Sequence, residues 1–317
     1  MLNSLVSSPP WRPIASILLA LLLGGVAWLM TQSGEKAPVP PGAIALDSSA
    51  VSESSGLARS RRREDWLWTH NDSGDSARLF AFTETGHLQA LLAVEKASAV
   101  DWEDMCTFVR EGVPYMTIAD VGDNAHLRTF VTLYVLTEPE IPTGPPVPGQ
   151  LPSALKRPVE IEIRVRYPKG AVNCEAVAYD PWREQFILVT KETLQAQLYA
   201  VDIDWSQVRQ ETTAKWMGSI ILPMVTGASI SDDGQVLALA TYGPTCLLKR
   251  MPTVDWSAAS SDQRRRATWQ TQVDGDLKLV DAPPRPQGES ICIDRAGSGV
   301  WMTSEGNPML LFHSAIQ

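Results

Sequence analysis

One short pattern recurs five times along this chain, and it limits the fold more than any other feature. Each copy has a polar position followed by small and alternating apolar residues, and an acidic residue often occupies that polar position, here called the Glu slot. The copies are 53–58, 101–106, 173–180, 225–232 and 287–294, with Ser55, Glu103, Glu175, Gly227 and Glu289 in their Glu slots. A repeat of this kind indicates an architecture built from similar units set side by side.

The same succession of segments follows every copy. In the first unit a second apolar run covers 66–69, a polar corner covers 70–72 and a third apolar run covers 78–82. Short apolar runs separated by turn residues predict antiparallel strands. Several strands in each unit, repeated radially, predict an all-β protein of the β-propeller class. Five units favour five blades, and a sixth, degenerate blade hidden in an insertion is the alternative.

A lone strand near the beginning of the propeller predicts how the ring closes. Residues 43–47 have strand character but no partner in their own unit, while the last unit has only three clear strands. An added N-terminal strand would complete the last blade and cover an edge that could otherwise pair with another molecule. We therefore expect residues 43–47 to pair with the last blade.

The N-terminal part of the chain predicts a membrane anchor. Residues 1–12 are a short tail, residues 13–31 carry no charge, residues 32–42 form a Pro-rich linker and residues 43–317 hold the propeller. An apolar helix of this length can just span a bilayer core of about 30 Å. The pattern favours a transmembrane anchor, and a cleaved signal segment is the alternative. Arg12 precedes the span, so the positive-inside rule keeps the tail in the cytoplasm and predicts a membrane-anchored, extracytoplasmic propeller, periplasmic or at the cell surface.

Composition and cysteine spacing exclude two classes of function. The formal net charge is −9 and the isoelectric point is about 5.0, so no basic surface for nucleic acid is expected. The four cysteines are Cys106, Cys174, Cys246 and Cys292, and none forms a C-x-x-C pair. That spacing argues against a zinc site and favours buried free thiols.

The chemistry is predicted at one end of the ring. In an antiparallel pair the start of one strand lies beside the end of the next, so the Glu slots and the polar corners face the same mouth of the central channel. The predicted residues are Glu53, Asp101, Glu103, Glu175 and Glu289 from the inner strands, and His70, Asn71, Asp72, Asp75, Asp120, Asp123, Asn124, Lys191, Glu192 and Glu305 from the corners.

So many carboxylates at one mouth predict either a cation or a structural use. Converging like charges raise one another's pKa or require a cation, and oxygen ligands suit Ca²⁺. The recurring Glu103, Glu175 and Glu289 are the candidate metal ligands. Alternatively, a glutamate at this place accepts backbone hydrogen bonds from a neighbouring blade. Asp180, Asp232 and Asp294 have the spacing of turn residues, and Trp102 is expected to pack between blades.

Six motifs together carry a family resemblance. They are Ser55-Gly56-Leu57, Thr69-His70-Asn71-Asp72-Ser73-Gly74-Asp75, Asp101-Trp102-Glu103-Asp104, Asp120-Val121-Gly122-Asp123-Asn124, Asn173-Cys174-Glu175-Ala176 and Gln287-Gly288-Glu289-Ser290. In this order the chain resembles a group of uncharacterised bacterial exported β-propellers that are distantly similar to phytase-like and gluconolactonase-like propellers. The resemblance implies that acidic residues of the channel hold Ca²⁺ or another divalent ion.

Two functions of different kinds follow from these observations. The first is a membrane-anchored extracytoplasmic module that binds an unknown small molecule or protein at the channel face. The second is a divalent-metal-dependent hydrolase of a small phosphoester or lactone at the central channel. The chain has no G-x-S-x-G, H-E-x-x-H or phosphate-binding glycine motif that would point to another catalytic class.

Overall fold

The structure is a computed structural model, and it describes residues 39–316 except 142–150, 252–256, 270–277, 281–284, 286, 305 and 307. The predicted anchor at 13–31, the tail at 1–12 and most of the linker at 32–42 lie outside the described residues. Among the described helices none is long and apolar enough to cross a membrane.

Five antiparallel sheets form the five blades of a β-propeller, as the repeat predicts. The first two blades each gain a fifth, parallel outer strand from a later linker. Blade 1 contains β2 (Ser54–Arg59), β3 (Trp66–Asn71), β4 (Arg78–Thr83), β5 (Leu88–Glu95) and the added β9 (Leu155–Pro158). Blade 2 contains β6 (Trp102–Arg110), β7 (Val113–Asp120), β8 (Val131–Thr137), β10 (Ile161–Arg166) and the added β14 (Arg209–Thr213).

The remaining three blades follow the same order from the centre outwards. Blade 3 contains β11 (Cys174–Asp180), β12 (Gln185–Thr190), β13 (Ala196–Asp202) and β15 (Lys215–Ile220). Blade 4 contains β16 (Val225–Ile230), β17 (Val236–Thr241) and β18 (Thr245–Met251), with β19 (Thr268–Trp269) and β20 (Lys278–Val280) both pairing with β18. Blade 5 contains β21 (Gly288–Ile293), β22 (Gly299–Ser304), β23 (Leu310–Ala315) and β1 (Ala43–Ala45).

The N-terminal strand closes the ring. Strand β1 pairs antiparallel with β23, with Ala43 opposite Phe312 and Ala45 opposite Leu310. The inner strands contact one another in the order β2, β6, β11, β16 and β21, and β21 returns to β2. The prediction that this segment completes the last blade is therefore confirmed. A short helix, α1 (Ser261–Arg266), lies in the insertion of blade 4.

The core consists of apolar clusters between neighbouring blades. Alternating residues of each strand point to the two faces of a blade, so that every face packs against the next blade. Trp102 is 1% exposed and lies in the cluster between blades 1 and 2 with Trp68 and Leu79, as expected for a packed aromatic. The four cysteines are free and buried, which confirms the prediction for them.

A β-bulge opens each inner strand and determines which residue occupies the Glu slot. The pairing register shifts between Ser54 and Gly56, between Trp102 and Asp104, between Cys174 and Ala176, between Val225 and Gly227, and between Gly288 and Ile291. A bulge leaves one residue unpaired and re-aims its side chain. In the first three blades the unpaired residue is Ser55, Glu103 or Glu175, and in blade 5 the shift includes Glu289. In blade 4 it is Thr226, so the prediction of Gly227 in this slot is wrong by one position.

Candidate functional site

Three carboxylates converge at the channel mouth between blades 1 and 2. Asp72 follows the end of β3, Asp101 immediately precedes β6, and Glu103 is the bulge residue of β6. One ligand oxygen from each lies within 4.8 Å of the others. The bulge aims Glu103 away from the strand pairing, and the antiparallel order brings the end of β3 beside it. We call Asp72, Asp101 and Glu103 the acidic triad.

A glycine makes room for two members of this triad. A Cβ placed on Gly122 would lie 2.2 Å from Oε1 of Glu103 and 2.4 Å from Oδ2 of Asp101. Real Cβ atoms do not approach oxygen so closely, so both carboxylates occupy the space that any other residue at position 122 would fill. Gly122 follows the end of β7, beside the bulge of β6, and the backbone there forms the base of the acidic triad.

The triad is electrostatically strained. Burial, followed by the charges of Asp72 and neighbouring carboxylates, raises the pKa of Asp101 to about 6. Burial and then the charges of Glu175, Asp72 and Asp101 raise the pKa of Glu103 well above its ordinary value. Crowded carboxylates either retain protons or bind a cation. Hard oxygen ligands in this number suit Ca²⁺, which also takes water molecules into an irregular shell.

A buried ion pair stands beside the triad on blade 3. Nζ of Lys191 donates to Oε2 of Glu175 at 2.6 Å, and Nδ2 of Asn173 donates to Oε1 at 3.1 Å. The ammonium group also lies 4.6 Å from the centre of the Tyr242 ring. Burial acts to lower the pKa of Lys191, but the charge of Glu175 outweighs it and the net change is a rise. Lys191 therefore remains an ammonium group at neutral pH.

Burial also raises the pKa of Glu175, although Lys191 and Asn173 oppose that rise.

The predicted metal ligands Glu103, Glu175 and Glu289 have different environments. Glu103 belongs to the acidic triad and Glu175 is paired with Lys191. Glu289 is buried near Arg285, whose pKa burial lowers to about 10 against the opposing charge of Glu289. The geometry brings Asp72 and Asp101 to Glu103 in place of Glu175 and Glu289.

Two further predicted residues serve the local fold. Asp120 is buried, bonds to Nη1 of Arg128 at 2.7 Å and accepts the backbone N–H of Asp101 at 3.2 Å. Asp123 accepts the N–H groups of Leu127 and Arg128 at 2.8 and 2.9 Å, which closes the turn after β7. Both carboxylates are satisfied by these partners, and they hold the loops from which the triad projects.

The corner of blade 1 is also structural. His70 is fully buried, its Nδ1 lies 2.8 Å from the carbonyl oxygen of Asn71, and burial lowers its pKa, so it is neutral. Asn71 donates to Asp75 at 2.7 Å, and Asp75 bonds to Arg78 at 2.9 Å. These contacts fix the loop that carries Asp72.

The other predicted residues lie at the edge of the mouth or outside the part of the chain that the structure describes. Glu53 and Asn124 are exposed, and Asn124 accepts a hydrogen bond from Asn173 at 3.0 Å. Glu192 is half-buried. Glu305 lies outside the described residues. Within the described part of the chain, neither Glu53 nor Glu192 joins the acidic triad.

Asp104 is the residue that sequence analysis missed. It is fully buried among the inner strands, and its carboxylate accepts the N–H of Met105 at 2.8 Å, of Val177 at 2.8 Å and of Ala228 at 3.0 Å. The N–H of Leu57 is a fourth donor. Every donor lies two positions after a bulge residue, so one carboxylate joins the inner strands of four blades. Burial raises the pKa of Asp104 well above its ordinary value, although the four donors oppose that rise. An anion matches four N–H groups better than a neutral acid, whose O–H would face them.

Comparisons with known proteins concern the fold. No protein-family model and no curated protein matches the chain. Among solved structures, a gluconolactonase from Xanthomonas campestris has 11% identity and a TM-score of 0.41, over 89% of this chain and 99% of that one. A 6-phosphogluconolactonase-like protein from Bacteroides uniformis has 12% identity and a TM-score of 0.38, over 89% and 70%. The Dos1 propeller has 9% identity and a TM-score of 0.33, over 82% and 68%. These similarities are too low to carry an argument about substrate.

Proposed function

We propose that the chain is a divalent-cation-dependent hydrolase of small, uncharged cyclic esters, with its site at the acidic mouth of the channel. The acidic triad carries this proposal, because three carboxylate oxygens within 4.8 Å of one another supply the ligands that Ca²⁺ prefers. The space beside Gly122 that Glu103 and Asp101 occupy also supports the proposal, because only a residue without a side chain leaves that space open. A bound cation would polarise the ester carbonyl group and make a nearby water molecule more acidic.

The residues beside the triad supply the remaining functions. Glu175 is a buried carboxylate with a raised pKa, which suits a group that accepts a proton from water near neutral pH. Lys191 keeps its positive charge and orients Glu175 through the 2.6 Å hydrogen bond. Asn173 bonds to the other oxygen of Glu175, so the direction of that carboxylate is fixed from both sides.

The charge of the mouth favours a neutral ester over a phosphoester. Lys191 is paired with Glu175, and Arg128 is paired with Asp120. The triad carries more negative charge than one divalent cation neutralises when its members are ionised. A phosphomonoester, which has between one and two negative charges at neutral pH, would be repelled more than a lactone.

The test is hydrolysis of a panel of five- and six-membered lactones by the purified protein, measured by acid release. We expect turnover that requires calcium, stops with a chelator and is lost in Asp101→Asn and Glu175→Gln. Glu53→Gln is the matched control, because Glu53 is exposed and lies outside the triad. Cation-dependent ligand binding without product would instead indicate a binding module, and calcium-independent turnover would contradict the proposal.

A further inference from the structure

The opposite mouth of the channel holds a second cavity. Its volume is about 280 Å³, close to the lower end of the range for ligand pockets. Its lining comes from the later halves of the inner strands and the turns that follow them, with Arg59, Arg61, Met105, Phe108, Ile230 and Asp232 among the contributors. Asp104 and its four backbone donors lie between this cavity and the acidic mouth, so the two ends of the channel are separate sites.

Two arginines share one carboxylate in the wall of this cavity. Arg59 donates through Nη2 to both oxygens of Asp232 at 2.7 and 2.8 Å, and Arg61 donates to the same carboxylate through Nη1. The side chains of Arg59 and Arg61 are 7% and 17% exposed, whereas Asp232 is 48% exposed. Two largely buried positive charges against one half-exposed negative charge leave the wall with an excess of positive charge.

Part of the Arg59 guanidinium group remains available. Nε of Arg59 donates to the carbonyl oxygen of Ile293 at 2.8 Å, and Nη2 is engaged by Asp232. Within the part of the chain that the structure describes, Nη1 of Arg59 has no acceptor at hydrogen-bonding distance. A guanidinium group with one nitrogen already fixed by a carboxylate can bind a second anion through the other nitrogen.

The rest of the wall combines apolar residues with Thr107, Ser229 and Ser231. Leu57, Met105, Phe108, Tyr179 and Ile230 line the cavity around the two arginines. A partly apolar wall with one localised cationic group suits a molecule that has a hydrocarbon part and a single negative charge. The carboxylate of Asp104, below the floor, is already bound by four N–H groups and leaves the arginines available to a ligand.

We propose that this cavity is a binding site for a small monocarboxylate with an apolar tail, held by Arg59 and favoured by the added positive charge of Arg61. The carboxylate group bonds to Nη1 of Arg59, and the tail lies along the apolar part of the lining, which includes Phe108 and Ile230. The nitrogens of Arg61 already donate to Asp232 and Thr107, so Arg61 contributes charge. The site is separate from the acidic triad at the other mouth. The channel then binds a cation at one end and an anion at the other.

The test is calorimetric titration of the full chain with sodium octanoate and, in parallel, with 1-octanol, which has the same tail and no charge. Arg61→Gln removes one positive charge, and Asp232→Asn removes the competing carboxylate. We expect Arg61→Gln to weaken octanoate binding about tenfold and Asp232→Asn to strengthen it by a similar factor, the order expected for one nearby charge. Arg164→Gln, on β10 of blade 2 and away from this cavity, is the control and leaves the affinity unchanged.

The opposite directions of the two changes make the result decisive. Damage to the fold would weaken binding in both variants, whereas the proposal requires stronger binding in Asp232→Asn. If Arg61→Gln does not fold, the result for Asp232→Asn alone tests the proposal. Equal affinities for octanoate and 1-octanol, weaker octanoate binding by Asp232→Asn, or no octanoate binding by the wild type at millimolar concentrations would overturn the proposal.

Discussion

Oε1 of Glu103 lies directly against the backbone of Gly122, so closely that a Cβ at position 122 would stand 2.2 Å from it. The atom that would be displaced is the end of a side chain, which can move without disturbing the sheet. We therefore expect Gly122→Ala to shift the carboxylates of Glu103 and Asp101 and to weaken calcium binding at least tenfold. The melting temperature without calcium should change little, because position 122 lies outside the paired strands. Equal calcium affinity in the variant and the wild type would contradict the claim that Gly122 positions Glu103 and Asp101.

The stability of the cation-free protein should fall as pH rises. The pKa of Asp101 is about 6 in the folded protein against an ordinary value of 3.8, so the folded state binds more protons than the unfolded state between these values. Its contribution to stability is fully present below about pH 4 and is lost as pH rises through about 6. Glu103, whose pKa is also raised, extends the loss to higher pH.

Melting curves between pH 5 and 8 measure this effect. With a chelator present, the melting temperature should be higher at pH 5 than at pH 7.5, and Asp101→Asn should flatten the dependence. Calcium affinity should rise through the same interval, since the ion competes with protons. A melting temperature that rises with pH over this interval would contradict the raised pKa values of Asp101 and Glu103 in the folded protein.

Asp104 should contribute more to stability than any other acidic residue of the channel. Asp104→Asn places an amide N–H₂ group against backbone donors, and each buried donor left unsatisfied costs about 1–3 kcal/mol. We expect a loss of about 3 kcal/mol or more in the free energy of unfolding, measured by urea denaturation. Asp204→Asn, in an exposed turn, is the control and should cost less than about 1 kcal/mol. Similar losses for both would exclude a central role for Asp104.

Lys191→Met separates orientation from cation binding. It leaves the carboxylate of Glu175 buried without its cation, so the pKa of Glu175 should rise and activity on a lactone should shift to higher pH. Calcium affinity should change less than in Asp101→Asn, because Lys191 does not belong to the acidic triad. A loss of calcium binding as large as that of Asp101→Asn would place Glu175 among the ligands instead.

The sequence predicts the blades and the closure of the ring because both depend on periodicity. Apolar alternation and turn residues identify the strands, and the unpaired segment 43–47 identifies the closing strand. The Glu slot of blade 4 was displaced by one residue because a β-bulge changes register without changing the local pattern, so that Thr226 and Gly227 are equivalent candidates in the sequence. A pairing register is a property of two strands, and one strand alone does not determine it.

The sequence predicts acidic residues at one mouth of the ring, but it does not indicate which of them the structure brings together. Alignment of repeats favours residues that recur, such as Glu175 and Glu289, whereas the triad combines Glu103 with Asp72 and Asp101, which come from unlike positions. Asp104 escaped notice because the equivalent positions hold small residues, Gly56 and Ala176 among them. An acidic residue where other repeats are small is the signal that could have identified it.

Calorimetric titration with CaCl₂ at pH 7.5, in wild type and in Glu103→Gln, tests the central claim most directly. We expect one calcium ion per chain in the wild type, with release of protons, and a stabilisation of about 2.7 kcal/mol at a hundredfold excess over Kd. Glu103→Gln should fold at least as well without calcium, because it removes a crowded charge, and should lose both the binding and the stabilisation. Absence of calcium binding in the wild type, or equal binding in the two proteins, would contradict a cation site at the acidic triad.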